Sequence, residues 1–219
     1  MQTIEIIIWR YDLILYLSSQ KFGNDHIFLK EWVAKHGNKL LLIFNALEIK
    51  SQEKKDANIK EDTELLEEIG FDVKVVDLKN YFGKEELLKQ EFKKFNAFCI
   101  MGGNTFILRQ AMKYSGFDIF LQELKNNNDY LYIGYSAGSS VLSKDLELLK
   151  LVDIPVNPYQ KDDIINEGVG LIDYLFIPHY KSDYHKSDLI EEVVSICQRG
   201  NVKYKALSDG EVIIENNKE

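Results

Sequence analysis

Tyr130-Leu-Tyr-Ile-Gly-Tyr-Ser-Ala-Gly-Ser-Ser-Val-Leu142 opens as an apolar run of strand length and closes as a run that suits a helix. Between them lies Gly134-Tyr-Ser136-Ala-Gly138, the spacing of a nucleophile elbow, in which a serine is exposed on a sharp strand-to-helix turn. Small residues two before and two after such a serine keep side chains from colliding where strand and helix approach. Gly134 and Gly138 meet that demand. A strand that turns at once into a helix is the repeating unit of α/β architecture, so the rest of the chain is expected to repeat the alternation.

It does so in both directions. Strand-length apolar runs occur at Leu13 to Leu17, Lys39 to Phe44, Asp72 to Val76, Ala97 to Met101, Tyr130 to Tyr135 and Leu175 to Ile177. Between them, residues 26–36, 59–69, 84–94, 104–113, 117–127 and 186–198 carry apolar residues at three-to-four-residue spacing. The pattern predicts a mainly parallel sheet with helices on both faces, a doubly wound α/β fold in one domain spanning 13–219. Met1 to Asp12 reads as an extra strand or an extension. Lys50 to Asp62 and Asn157 to Glu167 are the most polar stretches and read as surface excursions, the second a candidate lid.

In an open α/β sheet ligands bind beyond the carboxyl ends of the strands. Polar residues follow the apolar runs at Ser18-Ser19-Gln20, Gly102-Gly103-Asn104-Thr105, Gly134 to Gly138 and Pro178-His179-Tyr180. The N–H of Ala137, following the serine, is placed to meet a developing oxyanion. Gly102 and Gly103 allow a second bare N–H to approach a ligand, and Asn104 or Thr105 can cap the helix that follows. No GxGxxG dinucleotide fingerprint is present.

A serine hydroxyl needs a general base, usually histidine. Of four histidines, His26 and His36 flank an early helix, and His185 stands at a helix start where it could touch a ligand. His179 follows an apolar strand and is the favoured base for Ser136. The carboxylate that would orient it is open among Asp145, Asp153, Asp162, Asp163, Asp173, Asp183 and Asp209, because spacing alone does not choose.

Composition bounds the function. The 219 residues include 45% hydrophobic and 28% charged, with a formal net charge of −8 and no basic block. Neither nucleic acid nor an anionic membrane is an expected partner. No run approaches the roughly 18 apolar residues of a membrane span. Two cysteines, Cys99 and Cys197, offer no disulfide framework and suit a reducing cytoplasm. The histidines are not spaced as metal ligands and no cysteine pair joins them, so no metal or cofactor is implied.

Gly102-Gly-Asn-Thr-Phe106, Gly134-Tyr-Ser-Ala-Gly138, Val152-Asp-Ile-Pro155 and Ile177-Pro-His-Tyr180, in that order, resemble the dipeptidase E family of serine peptidases, which includes α-aspartyl dipeptidase. The resemblance implies a class I glutamine amidotransferase-like fold and hydrolysis of short peptides through an acyl-enzyme; a monomer or homodimer is expected. It implies Ser136 as nucleophile, His179 as base and Asp153 as third triad member, with Asp209 in Leu-Ser-Asp-Gly a weaker alternative. Gly102, Gly103, Asn104 and Ala137 take the oxyanion and substrate-backbone positions. In the aspartyl dipeptidases an arginine in the helix after the histidine recognises the N-terminal aspartate. Lys181 to Leu189 contains none, with Lys181, His185 and Lys186 the nearest substitutes, so the resemblance does not carry over that preference. Two other readings keep the same motifs: an α/β-hydrolase-type esterase, and a catalytically idle protein that binds peptides or amino acids.

Overall fold

In a computed structural model, which describes residues 13–24, 26–127, 129–161 and 164–216, the apolar runs become strands within a residue or two of their expected ends. They are β1 (Ile14–Ser18), β2 (Lys39–Ile43), β3 (Asp72–Val76), β4 (Ala97–Ile100), β5 (Leu131–Tyr135) and β6 (Leu175–Ile177). Two further strands, β7 (Tyr204–Ala206) and β8 (Val212–Asn216), were not evident from periodicity. The helices are α1 (Ile27–His36), α2 (Gln52–Ile69), α3 (Glu85–Phe92), α4 (Thr105–Ser115), α5 (Phe117–Leu124), the single turn α6 (Ala137–Ser140) and α7 (Ser187–Gly200). Residues 1–12, read as an extra strand or extension, lie outside the described residues.

Six strands form one sheet in the order β3-β2-β4-β5-β1-β8. All neighbours run parallel except β8, which pairs antiparallel with β1. Alternation along each strand divides the core between the two faces. Leu15, Leu17, Leu41, Phe98 and Tyr132 pack with α3, α4 and α5, while Tyr16, Leu40, Leu42, Cys99 and Ile133 pack with α1 and α2. The parallel pair β6-β7 forms a separate small sheet. Ile177, Leu175 and Phe106 pack there with Ile190, Val193 and Cys197 of α7 in a third cluster.

Lys50 to Asp62, expected as a surface excursion, is instead mostly the first two-thirds of α2. Ser51 caps it by accepting from the Lys54 N–H. Its few apolar residues gave no periodic signal, whereas Gln, Glu, Lys and Ala favour a helix whatever the pattern. Residues 157–161 and 164–167 carry no helix or strand and are mostly part-exposed, although Ile165 is buried. The Tyr159 ring, however, packs edge-on to Phe82 and Tyr114, and the neighbouring Val156 carbonyl accepts from Gln110 of α4. This part of the stretch is anchored over α4 rather than over Ser136.

Candidate active site

β5 delivers Ser136 at φ 49° and ψ −117°, a conformation that costs a non-glycine residue about 1–3 kcal/mol and persists only where its surroundings impose it. Here they do. The Ser136 N–H donates to the Ser18 carbonyl at the end of β1, and the N–H groups of Ser139 and Ser140 return to the Ser136 carbonyl. The flanking glycines are needed because a Cβ on Gly138 would stand 2.2 Å from the Ile100 carbonyl oxygen, and one on Gly134 2.6 Å from that of Gly138. The helix after the elbow is a single turn, so individual first-turn N–H groups, not a long macrodipole, supply the local positive field.

β6 delivers His179, 93% buried and itself at φ 61°. Its Nε2 lies 3.0 Å from Ser136 Oγ and its Nδ1 lies 2.7 Å from Asp209 Oδ1. Asp209 follows β7, the strand paired with β6, so the two-stranded sheet presents imidazole and carboxylate together. The carboxylate on His179 is thus Asp209, the weaker alternative of the sequence reading, and not Asp153. Asp153 Oδ2 accepts from the Thr105 N–H at 2.9 Å and the Thr105 hydroxyl at 2.7 Å, which commits that oxygen to the start of α4. The other acids lie elsewhere: Asp173 pairs with Lys203, Asp145 caps the turn at Glu147, Asp183 is exposed, and Asp162 and Asp163 fall outside the described residues.

Ser19, at the strand end flagged in the sequence but given no role there, completes the arrangement. Its hydroxyl donates to Asp209 Oδ1 at 2.8 Å and accepts from the His179 backbone N–H at 2.7 Å. Ser182 Oγ accepts from the Asp209 N–H at 2.8 Å. The Tyr184 ring stacks on the His179 imidazole with centroids 4.2 Å apart and planes 13° apart. Burial, then the charges of Asp153 and Asp209, push its phenol above the usual value, so it stays protonated at neutral pH. Neither side chain carried a motif, since Ser19 and Tyr184 act through tertiary contacts.

Gly103, Thr105, Ser136, Ala137, Asp153, His179 and Tyr184 border one small cleft, whose floor is built from Leu149, Val152, Ile177 and Ile190. Gly103 holds φ 147°, and a Cβ there would meet the Ala46 carbonyl oxygen at 2.4 Å. Gly102 does not border the cleft. It packs under the Tyr135 ring, where a Cβ would come within 2.7 Å of Cε2. Asn104 is also drawn away, because its Oδ1 accepts from Phe106 and Ile107 N–H and its Nδ2 donates to the Ile154 carbonyl. It is a helix cap. His185 is exposed and touches Tyr184. Among the described residues no three His, Cys, Asp or Glu side chains gather into a group that could hold a metal ion.

Comparison with known proteins bears on the family and the fold. Residues 14–219 match the model of peptidase family S51. An uncharacterized peptidase of Listeria innocua is 28% identical over 128 residues, 58% of this chain and 58% of that protein. The chain therefore aligns with less than two-thirds of that relative's length. An uncharacterized peptidase of Listeria monocytogenes is 26% identical over 155 residues, 70% of this chain and 72% of that protein. Among solved structures, a candidate peptidase E protein from Listeria monocytogenes superposes with a TM-score of 0.76 at 22% identity, covering 95% of this chain and 96% of that one. A peptidase from an acI-B1 Actinobacterium gives 0.68 at 15% identity, covering 94% and 84%. The fold is the class I glutamine amidotransferase-like one that the motifs implied. A family match over nearly the whole chain, on a single α/β domain of this topology, identifies the chain as a member of peptidase family S51, the dipeptidase E family of serine-type peptidases.

Proposed function

We propose that the chain hydrolyses short peptides through an acyl-enzyme, with Ser136 as nucleophile, His179 as general base and acid, and Asp209 as the carboxylate that orients the imidazole. The observation that carries this reading is the continuous hydrogen-bonded line Ser136 Oγ, His179 Nε2, His179 Nδ1, Asp209 Oδ1. Asp209 holds the Nδ1 proton on its own side and leaves Nε2 unprotonated toward the serine. Nε2 takes the hydroxyl proton as Oγ attacks the scissile carbonyl. The N–H groups of Gly103 and Ala137 receive the negative charge that develops on oxygen. His179 then returns the proton to the leaving amine, and water repeats the sequence on the acyl-serine.

With Asp209 in this role the chain order is Ser, His, Asp, whereas α/β-hydrolases run Ser, Asp/Glu, His, which argues against the esterase alternative. The free, buried thiols of Cys99 and Cys197 support a cytoplasmic setting, and among the described residues no helix is long and apolar enough to cross a membrane. The test is amino-acid release from a dipeptide and tripeptide panel, beside labelling by a fluorophosphonate probe. Turnover and labelling by the native chain, both lost in Ser136→Ala, are expected. Equal turnover by Ser136→Ala overturns the reading.

A further inference from the structure

Once Asp209 occupies His179 Nδ1, Asp153 is left without the role that its motif suggested, yet it still borders the cleft beside Ser136. Both hydrogen bonds it receives, from the N–H and hydroxyl of Thr105, fall on Oδ2. Among the described residues Oδ1 has no hydrogen bond or ion pair, and it is not among the buried, unpartnered oxygens, so it is open to solvent on a residue that borders the cleft. The rest of the lining is telling. Leu149, Val152, Ile177, Ile190 and the Tyr184 ring are apolar, and no lysine or arginine belongs to it. Lys186, the nearest substitute by sequence, donates to the Val152 carbonyl, and Arg109, one turn along α4 from Thr105, pairs with Asp118. The cleft therefore offers a cationic group the Asp153 carboxylate, and its lining holds no lysine or arginine to receive a second anion.

We propose that Asp153 binds the free α-ammonium group of the substrate's first residue, and that the chain acts on peptides with an uncharged, apolar N-terminal residue rather than on N-terminal aspartate. The inference rests on Ser136 being the nucleophile. With the ammonium on Oδ1, the adjacent carbonyl is the one presented to Ser136, so cleavage releases a single N-terminal amino acid. The first side chain meets Leu149, Val152 and Ile190. An aspartate there would bring a second carboxylate against Asp153, with no lysine or arginine in the cleft lining to offset it. Thr105 fixes the orientation of Asp153 from behind, which leaves the binding oxygen ordered before substrate arrives.

The test compares kcat/KM for Ala-X, Val-X and Asp-X dipeptides and for their N-acetylated forms, in the native chain and in Asp153→Asn. Asparagine keeps an acceptor for Thr105 and loses the charge. For the native chain, acetylation is expected to lower kcat/KM by at least about 10-fold, the scale of a charged hydrogen bond, and Asp-X to trail Ala-X by a similar factor. In Asp153→Asn the ratio of free to acetylated substrate should collapse towards unity. That ratio is taken within one variant, so a smaller folded fraction cancels from it. An unchanged ratio, or a native preference for Asp-X, overturns the proposal and leaves Asp153 as a support for α4 alone. If the native chain takes no probe at Ser136 and turns over no substrate, the peptidase reading fails and this one with it.

Discussion

Asp209 Oδ1 lies 2.7 Å from His179 Nδ1 across 30 residues of chain, because the two follow neighbouring strands of the small sheet at the same edge. Asp209→Asn leaves the shape of this contact but offers an amide where a carboxylate held the imidazole tautomer. kcat is expected to fall by about 10⁴, with KM changed far less. Single-turnover acylation of an ester substrate measures it, and a fall of under 10-fold would return the role to another acid.

Ser19 gives a second prediction. Its buried hydroxyl joins the Asp209 carboxylate to the His179 backbone. In Ser19→Ala both links vanish and the His179 N–H is left without its acceptor, a loss of about 1–3 kcal/mol. Lower thermal stability should accompany a drop in kcat of roughly tenfold, since each 1.4 kcal/mol of lost positioning is a factor of ten. Unchanged kcat in a destabilised variant would restrict Ser19 to a structural part.

Gly138→Ala tests the elbow itself. The new Cβ would stand 2.2 Å from the Ile100 carbonyl oxygen, a backbone atom that cannot swing aside. Separating β4 from α6 should lower stability by about 1–3 kcal/mol or more, read as a lower urea midpoint with an unchanged m value.

Tyr135, beside Ser136, donates at 2.6 Å to Asp62, which is fully buried in α2 and paired at 2.6 Å with Lys21. Burial raises the Asp62 pKa, and the bonds from Lys21 and Tyr135 only partly oppose it. A carboxyl with a higher pKa folded than unfolded keeps its proton longer in the folded state. Its contribution is therefore favourable at low pH and lost as pH rises through the folded pKa. The unfolding free energy of the native chain, measured against Asp62→Asn, should decline from about pH 4 upward. Tyr135→Phe removes one opposing bond and should extend that decline to higher pH; a difference independent of pH would refute it.

How much of this was legible in the chain follows from where each signal resides. Ser136, Gly134 and Gly138 could be read because steric demands within one turn fix their spacing, and His179 because an apolar strand ends just before it. Asp209 was harder. β7 is three half-buried residues long, too short to announce itself by alternation, and the contact with His179 exists only once β6 and β7 pair. Asp153 drew attention through its motif, but which of two nearby acids faces an imidazole is decided by tertiary placement. Ser19 and Tyr184 likewise depend on partners far away in sequence.

Ser136 belongs to the large sheet, while the His179 imidazole and its carboxylate belong to the small one. Ser19 bridges them from the end of β1. The site is therefore a joint between two sheets, held together by Ser19 and by the hydrogen bonds that tie Phe176 of β6 to Ser140 and Ser143. A slide of an ångström along that joint would leave the serine in its turn and the histidine on its carboxylate, yet break the proton's route between them. The distance from Ser136 Oγ to His179 Nε2 is thus a gauge of how firmly the two sheets are held together.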